Sequence, residues 1–138
     1  MKIVFVCKYN RFRSKLAESY FNKIMRKTRH KAKSAGLILH TPPDSKIREF
    51  FQKHGLPISS KVRGLNMKLL GWSDVIIIVT NDIPARIFDF PMKLGKKVVV
   101  WNIKDAERDD DAHREIILKQ IKRKVDALAR SLGSSHKI

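Results

Sequence analysis

The sequence predicts a single α/β domain of three layers, αβα, built on a four-stranded parallel sheet with a phosphate loop after its first strand. Short, continuously apolar, β-branched runs alternate with segments whose apolar residues recur every three or four positions, the order that produces a parallel sheet covered by helices. The 138 residues suffice for one sizeable core, and no linker, repeat or low-complexity tract divides them. The two residues best suited to chemistry, Cys7 and Asp105, fall at the carboxyl ends of expected strands, where open α/β sheets hold their sites.

The elements follow in order. Ile3 to Val6 is a run suited to burial on both faces, giving a strand over 2–7. From Ser14 the period changes: Leu16, Ala17, Tyr20, Phe21, Ile24 and Met25 share one face of a helix over 14–27. A strand near 32–35, a helix over 43–54 and a loop with short helical potential near 65–70 come next. Then come a strand over 74–80, a helix over 82–88 and a strand over 97–101. Ile117, Ile121, Val125 and Leu128 line one face of a final helix over 111–132. The terminal tail, about 133–138, is expected to fray.

Cys7-Lys8-Tyr9-Asn10-Arg11-Phe12-Arg13-Ser14 joins the first strand to the first helix, and it reads as an anion-binding loop with a nucleophile built in. The first N–H groups of a helix lack carbonyl partners and lie at the positive end of its dipole, so a thiol placed there is expected to react as the thiolate. Five residues between Cys7 and Arg13 can wrap one tetrahedral oxyanion with inward-facing amides. The planar fork of Arg13 can bond two oxygens of the same anion. Ser14 can cap a free amide or donate to the sulfur, and Asn10 tolerates the left-handed conformation that a tight phosphate loop requires. Lys8, Tyr9, Arg11 and Phe12 complete the expected substrate-binding set. Lys8, Tyr9, Arg11 and Lys15 are expected to make the mouth basic. A lone cysteine at a strand end is more often a small buried hydrophobe, but Arg at the sixth following place, Ser at the seventh and the strand-to-helix setting reverse that preference.

The run Val6-Cys7-Lys8-Tyr9-Asn10-Arg11-Phe12-Arg13-Ser14-Lys15-Leu16-Ala17-Glu18 resembles the amino terminus of the low-molecular-weight protein tyrosine phosphatases, with their C-x-x-N-x-x-R-S loop. Ser34-Ala35-Gly36 resembles that family's S-A-G. Pro43-Asp44 with Phe50, Phe51, Lys53, His54 and Gly55 resembles its second helix and turn. Trp72 to Thr80 resembles its central strand, and Phe90-Pro91 a Phe-Pro pair beyond it. The resemblance implies a phosphomonoester hydrolase acting through a phosphocysteine, with no metal or other cofactor. A phosphorylated protein or a small aryl phosphate would be its substrate. It also implies a late aspartate that protonates the leaving oxygen. Asp105 fits that role, just past the strand ending at Trp101, while Asp109, Asp110 and Asp111 are more simply an acidic helix start.

The departures from the family pattern are local. Tyr9 replaces a loop Gly, so a positive φ there would burden it with strain. Phe12 replaces the second loop cysteine that can trap an oxidised nucleophile, and Lys15 replaces a helix-opening Pro. Ala106, Glu107 and Arg108 replace the Pro and aromatic residues that often follow the acid. The related arsenate reductases relay electrons through additional cysteines, and this chain has one.

Thirty Lys and Arg against thirteen Asp and Glu give a formal charge of +17. That field suits phosphorylated substrates, but equally non-specific contact with nucleic acid, so a phosphate- or nucleic-acid-binding relative with little turnover stands as the alternative reading. No apolar stretch is long enough to span a bilayer and no signal-peptide pattern opens the chain. A monomeric cytoplasmic protein without membrane contact is expected.

Overall fold

The computed structural model describes residues 1–38, 41–89, 95–105 and 107–133. The elements run β1 (Lys2–Cys7), α1 (Arg13–Ile24), β2 (Lys31–Gly36), α2 (Ser45–Lys53), α3 (Met67–Trp72) and β3 (Val75–Thr80). A single 3-10 turn (Ala85–Phe88), β4 (Lys97–Ile103) and α4 (Asp111–Leu132) follow. The strands form one sheet of order β2-β1-β3-β4, every pair parallel.

Strand alternation divides the core into two layers. Ile3, Phe5, Ile77 and Val79 point to one face, where Leu16 and Phe21 of α1, Phe50 and Phe51 of α2, and Ile117, Leu118, Ile121 and Val125 of α4 cover them. Val4, Val6, Ile76 and Ile78 point to the other and meet Leu69 of α3 and Ile83. The predicted three-layer αβα architecture and parallel four-stranded sheet are therefore what the chain forms.

Several boundaries differ from the sequence expectation, for local reasons. α1 stops at Ile24 rather than Lys27, because Thr28 closes a turn on the Met25 carbonyl through both its backbone N–H and its hydroxyl. α2 opens at Ser45 because the Asp44 side chain accepts from the Ile47 N–H at 3.0 Å, making Asp44 the cap and not part of the helix. The helix expected over 82–88 reduces to the 3-10 turn, whose entry Pro84 is extended. Phe90-Pro91 and the tail from 134 onward lie outside the described residues. β4 runs two residues further than expected because it carries a bulge. Ile78 pairs with Val100 but Thr80 with Ile103, so β4 accommodates one extra residue, and Asn102 adopts φ 58°. Bulges of this kind re-aim a strand end. Here the bulge aims the Ile103 carbonyl at the site.

Candidate active site

Cys7 ends β1, and Asp82 and Asp105 each lie two residues beyond the ends of β3 and β4, so all three stand at the carboxyl ends of adjacent strands. Cys7 is almost fully buried at the base of a cavity of about 240 Å³, lined also by Tyr9, Arg11, Phe12, Arg13, Ile47, Asp105, Glu107, Arg108, Asp109 and Arg114.

The sulfur has two polar partners. The Asn10 backbone N–H donates to Cys7 Sγ at 3.1 Å, and Ser14 Oγ lies 2.8 Å from it. Asn10 Nδ2 donates to Ser14 Oγ and to Ser34 Oγ, both at 2.9 Å, and the Ser34 hydroxyl donates to Glu18 Oε1 at 2.6 Å. Ser14 Oγ accepts from Asn10 and keeps a hydroxyl proton that it can donate to the sulfur. The side-chain Oδ1 of Asn10 in turn accepts from the Arg63 N–H at 2.9 Å. Asn10, fully buried with φ 53°, is thus the brace of the loop.

Tyr9 does not carry the strain expected of it. Among the described residues the only non-glycine positions with positive φ are Asn10 and Asn102, so the left-handed step falls one residue later than a loop glycine would place it. Gly36 supplies the space instead. A Cβ there would sit 2.8 Å from the Tyr9 carbonyl carbon and 2.8 Å from the Asn10 nitrogen, inside the loop backbone.

Arg13 is buried and oriented from three sides. Its Nη1 donates to the Ile103 carbonyl at 2.9 Å, and its Nη2 lies 3.4 Å from Asp82 Oδ2 and 3.8 Å from Asp105 Oδ2. A guanidinium has five N–H donors, so several stay available to an oxyanion above Cys7. At Asp82 burial works against ionisation, but the Thr80 hydroxyl and the Arg13 charge outweigh it and hold the carboxyl below the usual aspartate range. Asp105 is largely exposed just beyond β4, where it lines the cavity.

The three later aspartates have separate tasks. Asp110 caps α4 by accepting from the His113 N–H at 2.9 Å. Asp109 and Asp111 hold the buried guanidinium of Arg114 at 2.6 and 2.8 Å. Arg114 therefore ties the acid loop to the first turn of α4, while Ile103 ties its other end to Arg13.

Of the residues expected at the site, Cys7, Tyr9, Arg11, Phe12, Arg13 and Asp105 line the cavity, and Asn10 and Ser14 lie behind the sulfur. Lys8 and Lys15 do not line it. Lys8 Nζ lies 5.4 Å over the Tyr9 ring, and Lys15 turns inward to donate to the Lys61 carbonyl at 2.6 Å, burial lowering its pKa. The cations that line the cavity are instead Arg11, Arg13, Arg108 and Arg114. Phe12, at the place of the second cysteine, packs edge-on against Phe50 and Phe51 at 5.8 and 6.2 Å and pins the loop to α2. Asp82 and Arg114 carry no signal in the sequence, whereas Glu18 and Ser34 stand in the Val6–Glu18 and Ser-Ala-Gly runs that carry the family resemblance.

The sequence profile described as Low molecular weight phosphotyrosine protein phosphatase matches residues 2–137. Among solved structures the chain resembles a Drosophila arginine phosphatase (TM-score 0.85, 19% identity, 97% of this chain and 99% of that one). It also resembles a low molecular weight protein tyrosine phosphatase from T. tengcongensis (TM-score 0.77, 20% identity, 95% and 99%). An arsenate reductase from Archaeoglobus fulgidus is 26% identical (TM-score 0.72, 91% and 97%). No curated protein matches the chain significantly.

Proposed function

Because the chain belongs to the low molecular weight phosphotyrosine protein phosphatase family and is a cysteine-dependent phosphatase, we propose that it hydrolyses aryl phosphomonoesters with Cys7 as nucleophile, Arg13 as anion clamp and Asp105 as acid. The observation that carries this reading is the placement of the sulfur. Cys7 Sγ sits at the base of the cavity that Arg13 and Asp105 also line, held there by the Asn10 N–H at 3.1 Å and the Ser14 hydroxyl at 2.8 Å.

Cys7 Sγ attacks phosphorus in line, and the loop amides with Arg13 hold the equatorial oxygens as charge develops. Asp105 gives its proton to the departing oxygen. As a carboxylate it then takes a proton from the water that attacks the phosphocysteine, returning the enzyme to its starting state. Asp82 stays ionised beside Arg13 and keeps the guanidinium turned toward the loop. The flat walls offered by Tyr9, Phe12 and Ile47 suit an aromatic ring, which favours phosphotyrosine or a similar aryl ester over an alkyl phosphate.

The alternative of a binding protein with little turnover drew on Tyr9 in the place of a loop glycine and on the positive charge; φ at Tyr9 is not positive, which removes the first support, while the charge suits either reading. The test is steady-state hydrolysis of phenyl phosphate and a phosphotyrosyl peptide, each measured with and without chelator. Turnover that is insensitive to chelator and abolished in Cys7→Ser is the expected result. Turnover surviving that substitution would remove the assignment.

A further inference from the structure

Between Glu18 and Asp44 the chain has no acidic residue, yet it carries Lys23, Arg26, Lys27, Arg29, Lys31 and Lys33. The end of α1, the turn after it and β2 bring these together along the free edge of the sheet, since β2 is the outer strand. A cavity of about 420 Å³ opens there, lined by Arg26, Lys31 and Lys33 with Trp72 as one wall. Among the described residues none of the six cations makes an ion pair.

Two further features make the charge more than a solvated face. Lys2 and Lys31 are cross-strand partners, and with Lys33 they point to the same side of the sheet as Val4. Like charges set opposite one another cost stability in the free protein, and an anion bound between them would relieve that cost. The carboxylate beside them, Asp74, is engaged by the Lys2 backbone N–H at 2.8 Å. The patch also stands apart from catalysis. Lys31 opens β2 whereas Gly36, the partner of Cys7, closes it, so five residues of strand, about 16 Å, separate the two ends.

We propose that this edge is a docking surface for the phosphate backbone of a nucleic acid, bound without reading its bases. The site's own geometry selects the mode. The Asn22 side chain donates to the Ala32 carbonyl at 3.0 Å and accepts from the Ala32 N–H at 2.9 Å, and Gly36 is bonded to Arg63 and Leu65, so both ends of the outer edge of β2 are occupied and an acidic peptide has no continuous edge to join as a further strand. Lys33 Nζ lies 4.5 Å over the Trp72 ring and Lys2 Nζ lies 6.0 Å from its centroid, which leaves the indole poorly placed to stack a base. What the surface offers is cations without a carboxylate partner among the described residues, two of them, Lys31 and Lys33, at the spacing of alternate strand residues, which suits sequence-independent phosphate contact.

The test is fluorescence anisotropy of the full chain with labelled mixed-sequence duplex and single-stranded oligonucleotides across a salt series. Polyglutamate and phosphatidylserine vesicles serve as competing polyanions. Affinity in the micromolar range near physiological salt is expected, with a log–log salt slope of about −3 to −5 on duplex and no preference among sequences. Arg26→Glu/Arg29→Glu/Lys31→Glu should weaken binding at least tenfold, and the Gln triple variant by less, while both keep wild-type kcat/KM on phenyl phosphate as proof of folding. Oligonucleotide binding that is undiminished in these variants, or tighter binding of polyglutamate or vesicles than of oligonucleotide at equal salt, would overturn the proposal.

Discussion

Replacing Gly36 by alanine tests whether the phosphate loop is positioned by its neighbour strand. Gly36 closes β2 opposite Cys7, and its φ is not positive, so alanine has no backbone penalty of its own. The cost is steric. The new methyl would lie 2.8 Å from two backbone atoms of the Tyr9–Asn10 peptide, where ordinary contact begins at 3.4 Å. Gly36 cannot retreat easily, because its N–H donates to the Arg63 carbonyl at 2.8 Å and its carbonyl accepts from the Leu65 N–H at 3.0 Å. The loop must therefore move by about half an ångström or more, and the moving peptide is the one whose N–H bonds the sulfur. Overpacking of this kind costs about 1–3 kcal/mol of stability. A shift approaching 1 Å at the reacting centre costs on the order of 100-fold in rate, so a loss of roughly 10- to 100-fold in kcat/KM is expected from protein that is still folded. The assay is aryl phosphate hydrolysis per folded molecule, with folding checked by circular dichroism and loop integrity by vanadate inhibition. Wild-type kcat/KM and vanadate affinity in a destabilised but folded variant would refute the reasoning.

The remaining predictions concern the acid and its supports. Asp105→Asn should slow phenyl phosphate and phosphotyrosine far more than a nitrophenyl ester, whose leaving group departs without a proton, and an equal loss on both would remove Asp105 from the acid role. Arg114→Lys, which cannot bridge Asp109 and Asp111 with a planar fork, should reproduce part of that leaving-group dependence by loosening the acid loop. If it lowers thermal stability alone, Arg114 has no part in placing Asp105. The Asp82 carboxyl is held below the usual aspartate range, so the stability it gives is full at neutral pH and is lost as pH falls through its depressed value. Asp82→Asn should lower the Tm at pH 7, and its gap to wild type should close on acidification below about pH 4; a gap that widens would contradict the sign.

The parts of the fold legible in the sequence are those written in short segments. The apolar runs at Ile3–Val6 and Val75–Val79 gave their strands, and the period of the final segment gave α4 its bounds. Asn10 could be read as left-handed because few other residue types accept that backbone, and Cys7, Arg13 and Ser14 because eight consecutive positions hold them together. Contacts that cross the chain were not legible. Asp82 reaches Arg13 across 69 positions, and Arg13 reaches the Ile103 carbonyl across 90. The bulge at Asn102, which makes the second of these possible, leaves no mark in an apolar run. The separate tasks of Asp109, Asp110 and Asp111 depend on where Arg114 and His113 return one turn later, so three adjacent identical residues read alike until the helix is formed. The inward turn of Lys15 depends likewise on the Lys61 carbonyl, 46 residues away.

The central claim is that phosphoryl transfer passes through the sulfur of Cys7. Rapid acid quench during hydrolysis of an aryl phosphate, followed by peptide mass spectrometry, tests it most directly. One phosphoryl group is expected on the peptide containing Cys7, accumulating in Asp105→Asn when a nitrophenyl ester is the substrate and absent in Cys7→Ser. A phosphoryl group on any other residue, or full turnover by the Cys7→Ser protein, would contradict it.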